Sequence, residues 1–138
     1  QDKEGLKPRS PGMKYSHYSP RAEIYVVCGL KKDNLAKLNN LIEKEKNKGK
    51  RIGLFLTEET ATNYLPPMDN PLAMPDYLEI LGSIEEPEVI AHRLYNSFRN
   101  ADRNSLDLVF AEDIPQKGLG LAIMNRLIKA AGHRIIRV

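Results

Sequence analysis

Hydrophobic residues along this chain fall into short uninterrupted runs separated by stretches of helical spacing. Residues 24–28 form one apolar run, closed by Gly29, and residues 52–56 form a second. A run that is apolar at consecutive positions predicts a strand covered on both faces, as in the interior of a parallel sheet. Residues 77–82 and 106–112 predict a third and a fourth strand, and 134–138 a short last one. Between them the spacing changes. Leu35, Leu38, Leu41 and Ile42 share one helical face, with Lys37, Lys44, Lys46 and Lys48 opposite, so a helix is expected from a cap at Asp33 to about Lys48, ended by Gly49. Ile90, Leu94 and Phe98 mark a second helix to about Asn100, for which Ser83 and Glu86 spell a capping box and Pro87 suits the first turn. A third covers 119–131, before Gly132. Thr57 is expected to cap a short helical turn opening on Glu58 and Glu59. Residues 64–76 hold Pro66, Pro67, Pro71 and Pro75 and predict a long irregular loop. Strands alternating with helices in this order specify a parallel α/β sheet with right-handed crossovers.

The 138 residues suffice for one hydrophobic core but hardly two, so one domain with a tail is expected. The first residue is Gln1, and residues 1–9 are charged, which reads as a segment cut from a longer protein. No apolar run approaches the ~18 residues of a membrane span and no signal-peptide pattern opens the chain. A single cysteine, Cys28, excludes an internal disulfide and a multi-cysteine zinc site, and fits a reducing, cytoplasmic setting. Charge is unevenly placed: residues 1–50 carry twelve Lys and Arg against six Asp and Glu, and residues 51–138 carry nine against twelve. A basic front attracts a nucleotide or RNA electrostatically, but most of the excess belongs to the Lys-rich side of the first helix.

Ahead of the first strand stands Ser10-Pro11-Gly12-Met13-Lys14-Tyr15-Ser16-His17-Tyr18-Ser19-Pro20, which is no neutral tether. Its prolines favour extended backbone, so the segment is expected to run as a strap. Lys14, Ser16 and Tyr18 would then point one way, with Met13, Tyr15 and His17 the other. A lysine, two tyrosines and a histidine suit a flat anionic ligand, and equally suit a strap held against its own domain.

Other candidates carry less chemistry. Gly118-Leu119-Gly120 lacks the third glycine of a dinucleotide fingerprint, since Ile123 stands there, and follows the last strand–helix turn rather than the first. Those glycines are read as permitting a close turn before a buried helix. That helix is apolar nearly all round, leaving Asn125, Arg126 and Lys129 as its polar stripe, so burial on more than one side is expected. Cys28 falls in an interior strand, where a thiol is packing. Glu112 and Asp113 close the fourth strand, at the edge where open α/β sheets place ligands. They fit a metal or simply an exposed turn. His92 has no second ligand at metal spacing and is read as a surface residue.

The strap pattern S-P-G-M-K-Y-x-H-Y-x-P, together with 118–127, resembles the two-domain threonylcarbamoyl-AMP synthases, over the whole chain from about Ser10. The resemblance implies an interdomain linker over 1–22 and a C-terminal domain over 23–138. It implies an α/β fold, a Rossmann-like three-layer domain with a mostly parallel sheet of about five strands, preceded by that extended linker. The catalytic N-terminal domain has no counterpart here, so the chain alone is expected to be inactive. The full-length enzyme would join threonine, bicarbonate and ATP, with magnesium, into threonylcarbamoyl-AMP for tRNA modification, releasing pyrophosphate. This chain would hold no firmly bound cofactor or metal, and would meet tRNA only indirectly. Its partner would be the catalytic domain, with ATP and threonine reached through it. In that family the linker crosses the mouth of the catalytic pocket. Lys14, Tyr15, His17 and Tyr18 are therefore the expected pocket-closing groups, with Met13, Pro20, Asn125 and Arg126 in structural or interdomain roles. Two alternatives stay open at this point: a stand-alone nucleotide- or RNA-binding module, and a purely structural docking domain.

Overall fold

A computed structural model describes residues 18–138. Five strands, β1 (Glu23–Cys28), β2 (Ile52–Thr57), β3 (Tyr77–Gly82), β4 (Leu108–Glu112) and β5 (Ile135–Arg137), form one sheet in the order β3-β2-β4-β1-β5. Every neighbouring pair is parallel, so the sheet is wholly rather than mostly parallel. Four helices connect them: α1 (Lys37–Lys46), α2 (Glu58–Asn63), α3 (Pro87–Arg103) and α4 (Leu119–Ala130).

The apolar runs explain the strand order. The three interior strands are the most hydrophobic, and β2 is buried at all six positions. Each interior strand feeds two cores, because successive side chains point to opposite faces. Leu108 and Phe110 of β4 pack with Leu54, Leu56, Leu38 and Ile42 beneath α1. Val109 and Ala111 pack with Ile24, Val26, Phe55, Leu94 and Leu127 beneath α3 and α4. The edge strand β3 keeps only Leu81 and Gly82 buried, and β5 is short and mostly exposed.

Direction across the sheet and choice of face go together. From β1 to β2 to β3 the chain moves toward the β3 edge with α1 and α2 on one face. From β3 to β4 to β5 it moves back with α3 and α4 on the other. A single crossover hand requires this. The loops leaving the adjacent strands β1 and β4 therefore part to opposite faces, and the carboxyl edge opens a crevice between them.

Local expectations meet the structure unevenly. Thr57 caps α2, its side chain accepting from the Thr60 amide. Asp33 does not cap α1, which begins at Lys37 after residue Ala36 with no side-chain cap. Asn34 takes over instead: its Oδ1 accepts from the Lys31 amide at 2.7 Å and its Nδ2 donates to the Gly29 carbonyl at 3.0 Å, winding residues 31–36 into tight turns. Ser83 forms no capping box either. Its hydroxyl donates to Glu59 at 2.5 Å and accepts from the Glu85 amide at 3.0 Å, while α3 starts at Pro87 behind Glu86. The proline-rich loop contains one 3-10 turn, Pro71–Ala73. Lys46 fastens that turn by donating to the Pro71 and Met74 carbonyls at 3.2 and 2.9 Å, and it pairs with Asp76 at 3.4 Å. Among the described residues no helix is long and apolar enough to cross a membrane.

Candidate functional site

Met13, Lys14, Tyr15 and His17 lie outside the described residues, so the strap is visible from Tyr18 onward. Tyr18 packs on α3, on the α3–α4 face of the sheet. Its ring meets Tyr95 edge-on at 5.0 Å and stacks near Phe98 at 6.4 Å. Its hydroxyl donates a short hydrogen bond to Asp102 Oδ2. Burial, and then that bond to a carboxylate, push its pKa up to about 12, because both disfavour the phenolate. Pro20 and Ala22 are buried, and Ser19 reaches the Ala130 carbonyl at the end of α4 at 3.4 Å. Arg21 completes the attachment, its amide donating to Asp102 Oδ1 at 2.9 Å and its guanidinium to the Asp102 carbonyl at 3.4 Å. Residues 18–21 are thus part of the domain surface.

Asp102 is the residue that sequence reasoning missed. A signal was present: it stands in the last turn of α3, where a carboxylate opposes the helix dipole by roughly 0.3–1 kcal/mol. An acid kept at an unfavourable position calls for a partner.

At the carboxyl edge, Glu112 and Asp113 do not form an exposed turn. Both are partly buried, and no group of three or more metal-ligating side chains exists among the described residues. Glu112 is spent on holding strands together. One oxygen accepts from the Thr57 amide and hydroxyl at 2.8 and 3.0 Å, the other from the Thr60 hydroxyl at 2.6 Å. Its carboxyl nevertheless titrates above the ordinary range, since burial outweighs these three donors. Burial raises Asp113 too, beside the Cys28 thiol and Arg137. Cys28 is half-buried and its thiol is pushed up, mainly by burial, which keeps it protonated and unreactive.

The glycine turn before α4 has a steric purpose. A Cβ on Gly120 would collide with the Pro115 carbonyl oxygen, so the glycine lets the 113–118 turn close onto the helix. The Ile114 amide donates to Met124 Sδ at 3.2 Å across the same contact.

The second surface expected to cover this helix, another domain or a partner chain, is not among the described residues. Ile123, Met124 and Leu127 face the sheet, but Leu119 and Leu121 stay 44% and 48% exposed, so its second apolar side is uncovered among the described residues. Asn125 and Arg126 stand exposed on that outer surface, with no side-chain hydrogen bond to another described residue.

These observations define a parallel α/β domain whose helical layer holds residues 18–22 against it. Comparison with known proteins agrees. The family described as threonylcarbamoyl-AMP synthase, C-terminal domain, matches residues 1–132, and the chain belongs to that family. It is 40% identical to the threonylcarbamoyl-AMP synthase of Bacillus subtilis over 131 residues, 95% of this chain and 34% of the relative. It therefore spans about a third of the length of the curated relatives it matches. Among solved structures, Pyrococcus abyssi Sua5 complexed with L-threonine is 40% identical with a TM-score of 0.70, covering 95% of this chain and 34% of that one. A separately solved C-terminal Sua5 domain from Pyrococcus horikoshii is 30% identical with a TM-score of 0.60, covering 87% of this chain and all of that one. The fold expected from the resemblance, a parallel α/β domain of five strands, is the fold observed.

Proposed function

We propose that this chain is the accessory C-terminal part of an enzyme that makes threonylcarbamoyl-AMP from threonine, bicarbonate and ATP, and that its linker gates the catalytic pocket. Membership of the family supports the reaction. The observation that carries the role is the attachment of Tyr18, Pro20 and Arg21 to the α3–α4 layer. A strap whose downstream end is fixed to a folded body delivers its upstream residues to a neighbouring pocket from one defined point.

In this reading Lys14, Tyr15 and His17 close the pocket. Lys14 offers a charge to the phosphates of the ATP–magnesium substrate, and the aromatic groups exclude water from a labile carbamate. Tyr18 belongs to the same strap, but its hydroxyl is committed to Asp102, so it serves as the fixed end. Adenylation belongs to the catalytic domain, which this chain would contact through Asn125, Arg126 and the uncovered side of α4. ATP and threonine are met through that domain, tRNA only indirectly, in the cytoplasm.

The test is complementation. Pyrophosphate release is followed with threonine, bicarbonate and ATP while this chain is added to its separately purified catalytic domain. Activity should rise at least about tenfold, the scale of water exclusion and ordering by a closing segment, and Tyr15→Ala or His17→Ala should abolish the gain. Indifference of the catalytic domain to the chain would leave the strap as packing.

A further inference from the structure

We propose that Asp102 is a positioning residue for the synthase reaction, fixing the point and direction from which the linker leaves the domain. The inference rests on the gating reading above and adds the part of the domain that makes gating directional.

Both carboxylate oxygens of Asp102 are used, and both go to the linker. Oδ2 accepts from the Tyr18 hydroxyl and Oδ1 from the Arg21 amide at 2.9 Å. Its backbone carbonyl also accepts from the Arg21 guanidinium at 3.4 Å. Its side chain accepts no hydrogen bond from its own helix. An acid that opposes the dipole of α3 and gives its carboxylate no helical partner is placed there for the segment it holds.

The grip has two ends. Tyr18 and Arg21 are fixed on either side of Ser19 and Pro20, and Pro20 is buried with its φ locked by its ring. Ser19 is tied to Ala130, so both outer helices hold the same four residues. Rotation of the linker about its own axis is thereby stopped at Tyr18. In the gating reading the residues ahead of Tyr18 are delivered from that fixed point, so release of the carboxylate would misdirect them without altering their chemistry.

The test uses the chain joined to its catalytic domain, with two readouts: hydrogen exchange of the Arg21 amide, and pyrophosphate release resolved into kcat and KM. Asp102→Ala should speed Arg21 exchange about tenfold and lower kcat about tenfold, while KM for threonine and ATP moves less than about twofold. Asp102→Glu should recover part of kcat. Tyr18→Phe, which keeps the ring packing and loses one donor, should lie between wild type and Asp102→Ala. Unchanged Arg21 exchange in Asp102→Ala would overturn the anchor itself. Faster exchange with kcat intact, while Tyr15→Ala and His17→Ala still lower it, would overturn the positioning role and leave gating standing. Faster exchange with kcat indifferent to all of these variants would end the gating reading, and the positioning role with it.

Discussion

Single residues in this domain are constrained more by contacts made across the fold than by their sequence neighbours. Gly120 reads in the sequence as permitting a close turn before the helix, and what fixes it is the Pro115 carbonyl lying where a Cβ would go. Gly120→Ala should therefore cost about 1–3 kcal/mol, as overpacking does, and lower the urea midpoint of the isolated chain. Glu112 is a second case. Its three donors come from residues more than fifty positions earlier, so no local pattern announced them. Because burial raises its folded-state value above the ordinary 4.5, the folded protein binds the proton more tightly than the unfolded chain. The resulting stabilisation is full below pH 4.5 and is lost as pH rises through the raised value. Carboxyl-carbon NMR should show Glu112 titrating above 4.5, and Glu112→Gln should remove that part of the fall in unfolding free energy between pH 4.5 and neutrality. A Glu112 that titrates at or below 4.5 would refute the argument.

At the scale of elements, periodicity was a good guide to where strands and helices lie and a poor one to how they begin. The interior strands were legible because they are apolar at consecutive positions, a pattern only a doubly covered strand needs. The caps were less legible. Asp33 and Ser83 have the right chemistry, but Asn34 captures the Gly29 and Lys31 backbone first, and Glu59 draws Ser83 away across 24 residues. The first competition is between adjacent residues for the same local backbone, and the second is decided by a tertiary neighbour that leaves no trace in spacing. Helix α4 was read correctly as apolar nearly all round, and its two sides now predict different outcomes. Leu127 is fully buried, so Leu127→Ala should cost about 2–5 kcal/mol by chemical unfolding. Leu121 is half exposed, so Leu121→Ser should change stability by no more than about 0.5 kcal/mol. If the uncovered side meets the catalytic domain, the same Leu121→Ser chain should bind that domain about tenfold more weakly by calorimetry, since contiguous apolar surface on a domain marks an interface.

For the molecule as a whole, the alternation of strand and helix foretold a parallel α/β sheet but not the insertion of β4 between β2 and β1, because strand order depends on which exposed edge each returning strand meets. The boundary between linker and domain was likewise only partly legible. The prolines suggested an extended strap over residues 10–20, and the structure packs its last residues on the domain, with Tyr18 and Ala22 against the α3–α4 core, Pro20 buried, and Asp102 accepting from both Tyr18 and Arg21. The physical domain therefore begins before its first strand. A chain starting at Tyr18 and one starting at Glu23 contain the same sheet and helices, so a boundary set by regular structure predicts equal stability. The packing predicts otherwise. Loss of the Tyr18 ring, the Pro20 and Ala22 burial and the two bonds to Asp102 should remove about 2–4 kcal/mol. The melting temperature should then fall by on the order of 10 °C in calorimetry. Equal melting would place the anchor outside the cooperative unit, free to detach while the sheet stays folded. A lower melting temperature for the shorter chain would mean that the linker cannot leave Tyr18 without straining the domain, and that movement toward a catalytic pocket starts upstream of that residue.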